Sequence, residues 1–223
     1  MTSTGSRAAN IAAVSVDRRV WLLLLLEAVE RADLAPIAGH QLHRMVYLAN
    51  CLSPLYDVPV ADGEILKYRR GPFYPDLQWD LDRLVGMRLL AISDVRLLRE
   101  SGQPAWLFAR YGIEAHGLTL VTKALQASER ARERHSFYVE VAGAYAALDE
   151  NAQDGAALQD ANFQNPKVQP ETVIDFSEWS QNVSLQAANT FNSFAPRGRH
   201  LTERDKLHLY FRYLNRMVEK AAG

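Results

Sequence analysis

The chain contains little cysteine, few long apolar runs and almost no net charge. Cys51 is the single cysteine among 223 residues, so an intrachain disulfide is impossible, and one thiol cannot build a structural zinc site by itself. A chain without disulfides is typical of the cytoplasm. Residues 20–26 form a run of seven apolar residues, whereas a membrane-spanning helix needs about 20. We therefore expect a cytoplasmic protein with a buried helix at this position and no membrane segment.

The charge balance bears on nucleic-acid binding. The chain has 25 Lys and Arg residues against 26 Asp and Glu residues, a formal net charge of −1. A dedicated nucleic-acid binder usually carries a positive excess that neutralises phosphates. Any contact with DNA must therefore come from a local patch.

Motifs for catalysis and for nucleotide binding are missing. The sequence has no Gly-x-Ser-x-Gly elbow, no phosphate-binding Gly-x-x-x-x-Gly-Lys loop and no Gly-x-Gly-x-x-Gly turn. His40 and His43 lie three residues apart, but no glutamate completes a metalloprotease pattern. We predict no catalytic residue, no cofactor and no metal, and keep an unrecognised enzyme as the third hypothesis. Asp149, Glu150, Asp154 and Asp160 fit no calcium loop and are interpreted as a solvated loop.

Apolar periodicity predicts the order of the elements. Helices are expected over residues 17–32 and 37–52 and after Pro75, with a turn-rich segment over 60–75. Two strand-like runs, 89–98 and 105–111, are joined by a hairpin loop and followed by a helix over 118–125. Further helices are expected over 135–149, over 184–194 and after Thr202, whereas 151–171 is expected to be loop or short helical pieces.

This order predicts a mainly α protein. Three helices followed by a β-hairpin are typical of a winged helix. We expect a flexible N-terminal arm over residues 1–15, a winged-helix-like domain over 16–130, and a helical C-terminal region over 131–223 that packs on it.

The third helix is the one that enters the DNA major groove in a winged helix. If Leu77, Leu81 and Leu84 are buried, Trp79, Asp82 and Arg83 face outward. Asp76, Asp80 and Asp82 would then lie close to phosphates, which argues against direct base reading. Trp79 is either covered by the C-terminal half or anchors a protein interface. We take Trp79, Asp82 and Arg83, with Phe73 and Tyr74 of the rigid loop before this helix, as candidates for a protein interface.

Two short basic segments are candidates for nucleic-acid contact. Their residues are Lys67, Arg69 and Arg70 in one, and Arg197, Arg199 and Arg204 in the other. They are either ordinary solvated loops or auxiliary, sequence-independent contacts with phosphates.

Several stretches give the chain a family resemblance. They are residues 42–49 (Leu-His-Arg-Met-Val-Tyr-Leu-Ala), 52–56 (Leu-Ser-Pro-Leu-Tyr), 69–74 (Arg-Arg-Gly-Pro-Phe-Tyr), 81–90, 118–120, 173–176 and 201–210. In this order they resemble the middle components of bacterial ABC-three-component systems, and Arg-Gly-Pro-Phe-Tyr is also similar to SocA-like antitoxin domains. The resemblance implies a non-catalytic subunit that links an SMC- or Rad50-like ATPase to an effector protein in defence against phages or plasmids.

We carry two main hypotheses forward. The first is the adaptor subunit that the resemblance implies, with possible non-specific DNA contact and an undetermined oligomeric state. The second is a winged-helix regulator or antitoxin that binds DNA through the basic loops.

Overall fold

A computed structural model describes residues 3–60, 64–68, 70–99, 105–165, 173–175, 182–195 and 200–223. For residues 3–15 and 174–175 only the backbone is described. The protein is mainly α-helical. Its helices are α1 (Ser3–Arg31), α2 (Gly39–Leu52), α3 (Pro75–Gly86), α4 (Ala115–Ala127), α5 (Glu129–Ala146), α6 (Glu150–Gln159), α7 (Val183–Thr190) and α8 (Glu203–Ala222), with short 3-10 turns at Ser53–Tyr56 and Phe191–Phe194.

Two small antiparallel sheets accompany the helices. The strands are β1 (Ile37–Ala38), β2 (Glu64–Tyr68), β3 (Gly71–Phe73), β4 (Leu90–Leu98), β5 (Trp106–Ile113) and β6 (Val173–Asp175). One sheet has the order β1-β5-β4 and the other the order β3-β2-β6. The predicted β-hairpin is therefore present as β4 and β5, while the turn-rich interpretation of residues 60–75 missed β2 and β3.

The leucine-rich α1 forms the centre of the core. Residues 21–26 are all buried, because α1 packs against α3, α4, α5 and β5. A helix that is apolar on every side needs neighbours on every side, which explains the run of leucines. The helix extends back to Ser3, through most of the segment expected to be a flexible arm. Several alanines in that segment favour helical backbone.

The second half of the chain joins the first in two ways. Helix α5 packs on α1, and β6 pairs with β2 in the register Glu64 to Asp175. A strand from the C-terminal half thus completes a sheet that begins in the N-terminal half.

The boundary between α4 and α5 lies at Ser128. Its hydroxyl accepts a hydrogen bond from the Ala131 amide and caps α5.

Helix α6 lies where loop or short helical pieces were expected. Asp149 caps its N-terminus by accepting a hydrogen bond from the Ala152 amide. Gly155 lets it approach α8 closely, since a Cβ atom there would lie 2.8 Å from a methyl group of Val218. The helix depends on this packing, which local sequence signals do not reveal.

Candidate interaction surfaces

Asp80 attaches α3 to α1. Its carboxylate is fully buried and accepts a hydrogen bond from Nε of Arg18 at 2.5 Å, with Arg19 at 3.6 Å and Arg83 at 3.5 Å. The expectation that Asp80 lies on the outer side of α3, close to phosphates, is therefore wrong. The leucine spacing of α3 did not reveal the burial of Asp80, because Arg18 and Arg19 belong to another helix.

A second polar network fixes the start of α3. The backbone amide of Tyr74 donates a hydrogen bond to Nδ1 of His43 at 3.2 Å, and Nε2 of His43 lies 3.4 Å from Oε1 of Gln78. Gln78 in turn donates to the hydroxyl of Tyr111 and to Asp82, both at 3.0 Å. This chain of contacts joins α2, α3 and β5, so buried His43 and Tyr111 together with half-buried Gln78 orient α3 relative to the hairpin.

The outer side of α3 is exposed to solvent. Trp79 keeps 65% of its surface accessible and Met87, just after the helix, 56%. Asp76, Asp82 and Arg83 are also exposed. Trp79 was expected either to be covered by the C-terminal half or to anchor a protein interface. No described residue of the C-terminal half covers it. A large exposed aromatic flanked by charges is typical of an interface anchor.

Tyr74 does not belong to this surface. Its side chain is fully buried, its ring stacks on His43 at 6.3 Å, and its hydroxyl accepts a hydrogen bond from Asn50 at 3.1 Å. The prediction that Tyr74 contacts a partner is contradicted by this burial. Phe73 is half-buried, with its ring 4.8 Å from that of His43.

One face of the β4–β5 hairpin is apolar and partly exposed. Leu97 is paired with Leu107, and Ile92 with Tyr111. Cross-strand partners and alternate residues share a face, so all four side chains lie on the side that contacts α3 through Tyr111. Leu97 and Leu107 are 58% and 62% exposed. We name Trp79, Met87, Ile92, Leu97 and Leu107 the α3–hairpin surface.

The opposite face of the hairpin carries arginines on aromatic rings. Arg96 is paired with Phe108, and the strand alternation places Arg110 and Trp106 on the same face. The guanidinium carbons of Arg96 and Arg110 lie 5.0 and 5.8 Å from the Phe108 ring centre, and that of Arg70 lies 5.2 Å from the Trp106 ring centre. We name Arg70, Arg96, Arg110, Trp106 and Phe108 the arginine face.

The predicted nucleic-acid residues are dispersed. Arg70 joins the arginine face, whereas Lys67 lies over the ring of Phe163 at 5.1 Å, where burial lowers its pKa. Arg204 contacts Glu140 of α5 at 2.9 Å. Arg69, Arg197 and Arg199 lie outside the described residues. Arg96 and Arg110 were missed. The alternation of Trp106, Phe108 and Arg110 along a strand would have placed Arg110 on the face of the two rings, but Arg96 joins them only through the pairing of β4 with β5.

No protein-family model matches the chain, and no curated protein matches it either. None of the described helices combines the length and the apolar character that crossing a membrane requires.

The paired histidines of α2 do not share a site. His43 is buried, and burial lowers its pKa to about 4, so its imidazole is neutral at pH 7. His40 lies 3.2 Å from Asp154, which also contacts Arg44 at 2.9 Å. Among the described residues, no group of three or more His, Cys, Asp or Glu side chains is placed to hold a metal ion.

Asp160 is the centre of a buried polar cluster. Its carboxylate accepts hydrogen bonds from the hydroxyls of Tyr47 at 2.5 Å, Tyr210 at 2.6 Å and Ser184 at 2.7 Å. The interpretation of the acidic residues as a solvated loop is wrong for Asp160, which is fully buried. The cluster joins α2, α7 and α8.

Cys51 lies beside this cluster and is fully buried, as expected of a small apolar core residue. Burial and the neighbouring Asp160 raise the pKa of its thiol, so it stays protonated. A protonated thiol without solvent access is a poor nucleophile. A cleft of about 250 Å³ lies elsewhere, between Ala144 and Leu148 on one side and His208, Arg212 and Arg216 of α8 on the other.

Proposed function

We propose that the protein is a non-catalytic adaptor subunit that binds a protein partner through the α3–hairpin surface. The observation that carries this proposal is the exposure of large apolar side chains on α3 and on the adjoining face of the hairpin. Trp79, Leu97 and Leu107 each keep more than half of their surface accessible. Large exposed apolar side chains among charged residues are typical of a protein-binding site.

The charges on α3 favour protein over DNA as its partner. Asp76 and Asp82 are exposed on the same helix as Trp79. A helix that reads bases in the major groove presents Arg, Lys, Asn or Gln, and carboxylates there would repel phosphates. Burial of a tryptophan by a protein, in contrast, is a frequent source of binding energy.

The partner in this proposal is an SMC- or Rad50-like ATPase, which the subunit links to an effector in cytoplasmic defence against phages or plasmids. The sequence resemblance supports this partner. The order α1, β1, α2, α3, β4, β5, with β2 and β3 inserted between α2 and α3, and the sheet order β1-β5-β4 support a winged helix as the framework of the N-terminal half. Burial of Cys51 removes the single thiol from solvent, which suits the non-catalytic role.

The test is co-purification with an SMC- or Rad50-like ATPase of the cell that produces this protein. The variant Trp79→Ala/Leu107→Ser removes two exposed apolar side chains from the α3–hairpin surface. Phe194→Ala/Val173→Ser is the matched control, because these side chains are 78% and 63% exposed elsewhere on the molecule. We expect the first variant to lose the ATPase at least about tenfold and the control to retain it, since anchor residues contribute about 2 kcal/mol or more each. Retention by both variants, or capture of no ATPase by the wild type, would contradict the proposal.

A DNA-binding regulator or antitoxin is the second candidate, and the exposed arginines of the hairpin favour it. A regulator requires tight binding to its own promoter that depends on sequence at physiological salt. A gel shift with the promoter and with a shuffled duplex of equal composition distinguishes it from the adaptor. Equal binding to both duplexes would contradict the regulator.

A further inference from the structure

The cleft of about 250 Å³ lies between the C-terminal end of α5 and α8, and we name it the α5–α8 cleft. Its apolar wall consists of Ala144, Ala147 and Leu148, and α8 supplies the polar wall. None of its lining residues belongs to the α3–hairpin surface or to the arginine face. A function of this cleft is therefore independent of the protein partner proposed above.

Two arginines of α8 line the cleft. Arg212 and Arg216 lie four residues apart, so they share one side of the helix, with Cβ atoms about 5–6 Å apart. Both are exposed, and neither side chain forms an ion pair or a hydrogen bond with a described residue. Arg204, two turns earlier on α8, contacts Glu140 at 2.9 Å instead. The two cleft arginines thus keep their donors for an anion that comes from outside the described part of the chain.

The carboxylates near the cleft have other partners. Glu219 also lines it, but its Oε1 accepts a hydrogen bond from Nδ2 of Asn215 at 2.8 Å. Asn215 in turn accepts from the backbone amide of Asp149 at 3.3 Å. Glu140 lies 3.0 Å from Nε2 of His208. With His208 neutral, two arginines against one glutamate leave the described lining with an excess of one positive charge.

We propose that the α5–α8 cleft binds a small organic anion. Arg212 and Arg216 hold its carboxylate or phosphate, because a guanidinium group forms paired hydrogen bonds with either group. The apolar part of the ligand lies against Ala144 and Leu148. The volume of the cleft is below the range of about 300–1,000 Å³ that is typical of sites for drug-sized ligands, which favours a compact ligand with one anionic group.

The experiment is a titration of ¹⁵N-labelled protein, followed by the chemical shifts of its backbone amides. The probes are phenyl phosphate, benzoate and the neutral benzyl alcohol. We expect saturable shifts at Ala147, Leu148 and Asn215, with a dissociation constant of about 1 mM or lower for at least one of the two anions. Benzyl alcohol should bind at least about tenfold more weakly, because it forms no charge-assisted hydrogen bond. The tighter of the two anions identifies the anionic group of the ligand.

The variant Arg212→Gln/Arg216→Gln should weaken binding of that anion at least about tenfold, which is the loss expected from one charge-assisted hydrogen bond. The matched control is Lys123→Gln/Arg130→Gln, which removes two exposed cations from α4 and α5. Both double variants lower the net charge equally. The control should therefore stay within about twofold of the wild type if the cleft, and not the overall charge, binds the anion.

Two single variants test the cleft in opposite directions. Ala147→Leu places a larger side chain at an exposed position of the apolar wall and leaves both arginines in place, so it should weaken binding by steric exclusion. Glu219→Gln removes the carboxylate of the lining and should strengthen binding several-fold. Circular dichroism and thermal unfolding verify that each variant keeps its fold.

Four results would overturn the proposal. They are the absence of shifts at the cleft amides with about 10 mM of either anion, equal losses in the two double variants, wild-type affinity in Ala147→Leu, and binding of benzyl alcohol as tight as that of the anions. Weaker binding by Glu219→Gln would contradict the assigned charge preference of the cleft.

Discussion

Replacing Asp80 with Asn tests the attachment of α3 to α1. The substitution preserves the shape of the side chain and removes its negative charge. Arg18 would then be left with 11% of its side chain exposed and without the carboxylate that it contacts at 2.5 Å. Removing one member of a buried ion pair costs about 3–5 kcal/mol.

Arg18 has a second, exposed ion pair, which compensates little of this loss. Its contact with Asp76 at 3.1 Å involves a carboxylate that is 68% exposed, and such a pair contributes less than about 1 kcal/mol. We therefore expect Asp80→Asn to lower the free energy of unfolding by about 3 kcal/mol. With a urea dependence of about 3 kcal/mol per M, the unfolding midpoint should fall by about 1 M.

The assay is urea unfolding followed by circular dichroism, with Arg83→Gln as the matched control. Arg83 contacts the same carboxylate, but 56% of its side chain is exposed, so its loss should cost less than about 1 kcal/mol. The double variant Arg18→Gln/Asp80→Asn should be less destabilised than the sum of its single variants, because the second substitution removes the uncompensated charge. A loss below about 1 kcal/mol for Asp80→Asn would refute this account of α3.

Two further predictions concern His43 and the helix glycines. Burial lowers the pKa of His43 from 6.5 to about 4, so the neutral form stabilises the fold fully above pH 6.5, and about 3 kcal/mol is lost as the pH falls to 4. The difference in the free energy of unfolding between wild type and His43→Gln, measured by urea unfolding, should therefore shrink as the pH falls from 6.5 to 4. The control His116→Gln, at an exposed site, should keep the pH dependence of the wild type. A difference between wild type and His43→Gln that does not change with pH would count against the prediction. Gly117→Ala should lower the thermal midpoint, because a Cβ atom there would lie 2.4 Å from the carbonyl oxygen of Leu89. Gly143→Ala should stabilise α5 by about 0.5–1 kcal/mol, because a Cβ atom there would meet no described atom within 4 Å beyond its chain neighbours and the helix backbone. Equal effects of the two substitutions would contradict the packing at Gly117.

Local signals in the sequence were sufficient for several elements. Helix α8 begins where Thr202 and Asp205 predicted, and their capping box is present, since the Asp205 amide donates to the Thr202 hydroxyl at 3.1 Å. The β4–β5 hairpin follows from two apolar runs separated by turn-forming residues. In each case the residues that determine the element lie within a few positions of one another.

The candidate surfaces were only partly predictable. The outward position of Trp79 follows from the leucine spacing of α3, because helical periodicity is a local property. The arginine face required the pairing register of β4 with β5 and the position of Arg70 over Trp106. The sequence alone does not give the pairing register of the strands, so it does not show which arginines lie on the same face of the hairpin.

The sequence by itself determined the mainly helical class, the hairpin, the buried α1 and the cap of α8, since short-range periodicity and capping decide these features. Only the tertiary structure decided which polar residues are buried and which aromatic residue is exposed. Asp80, Asp160 and Tyr74 are buried because partners from distant helices supply their hydrogen bonds, and Trp79 is exposed because no described segment covers it. The energy of a buried polar group depends on those partners, and their positions are a property of the assembled fold.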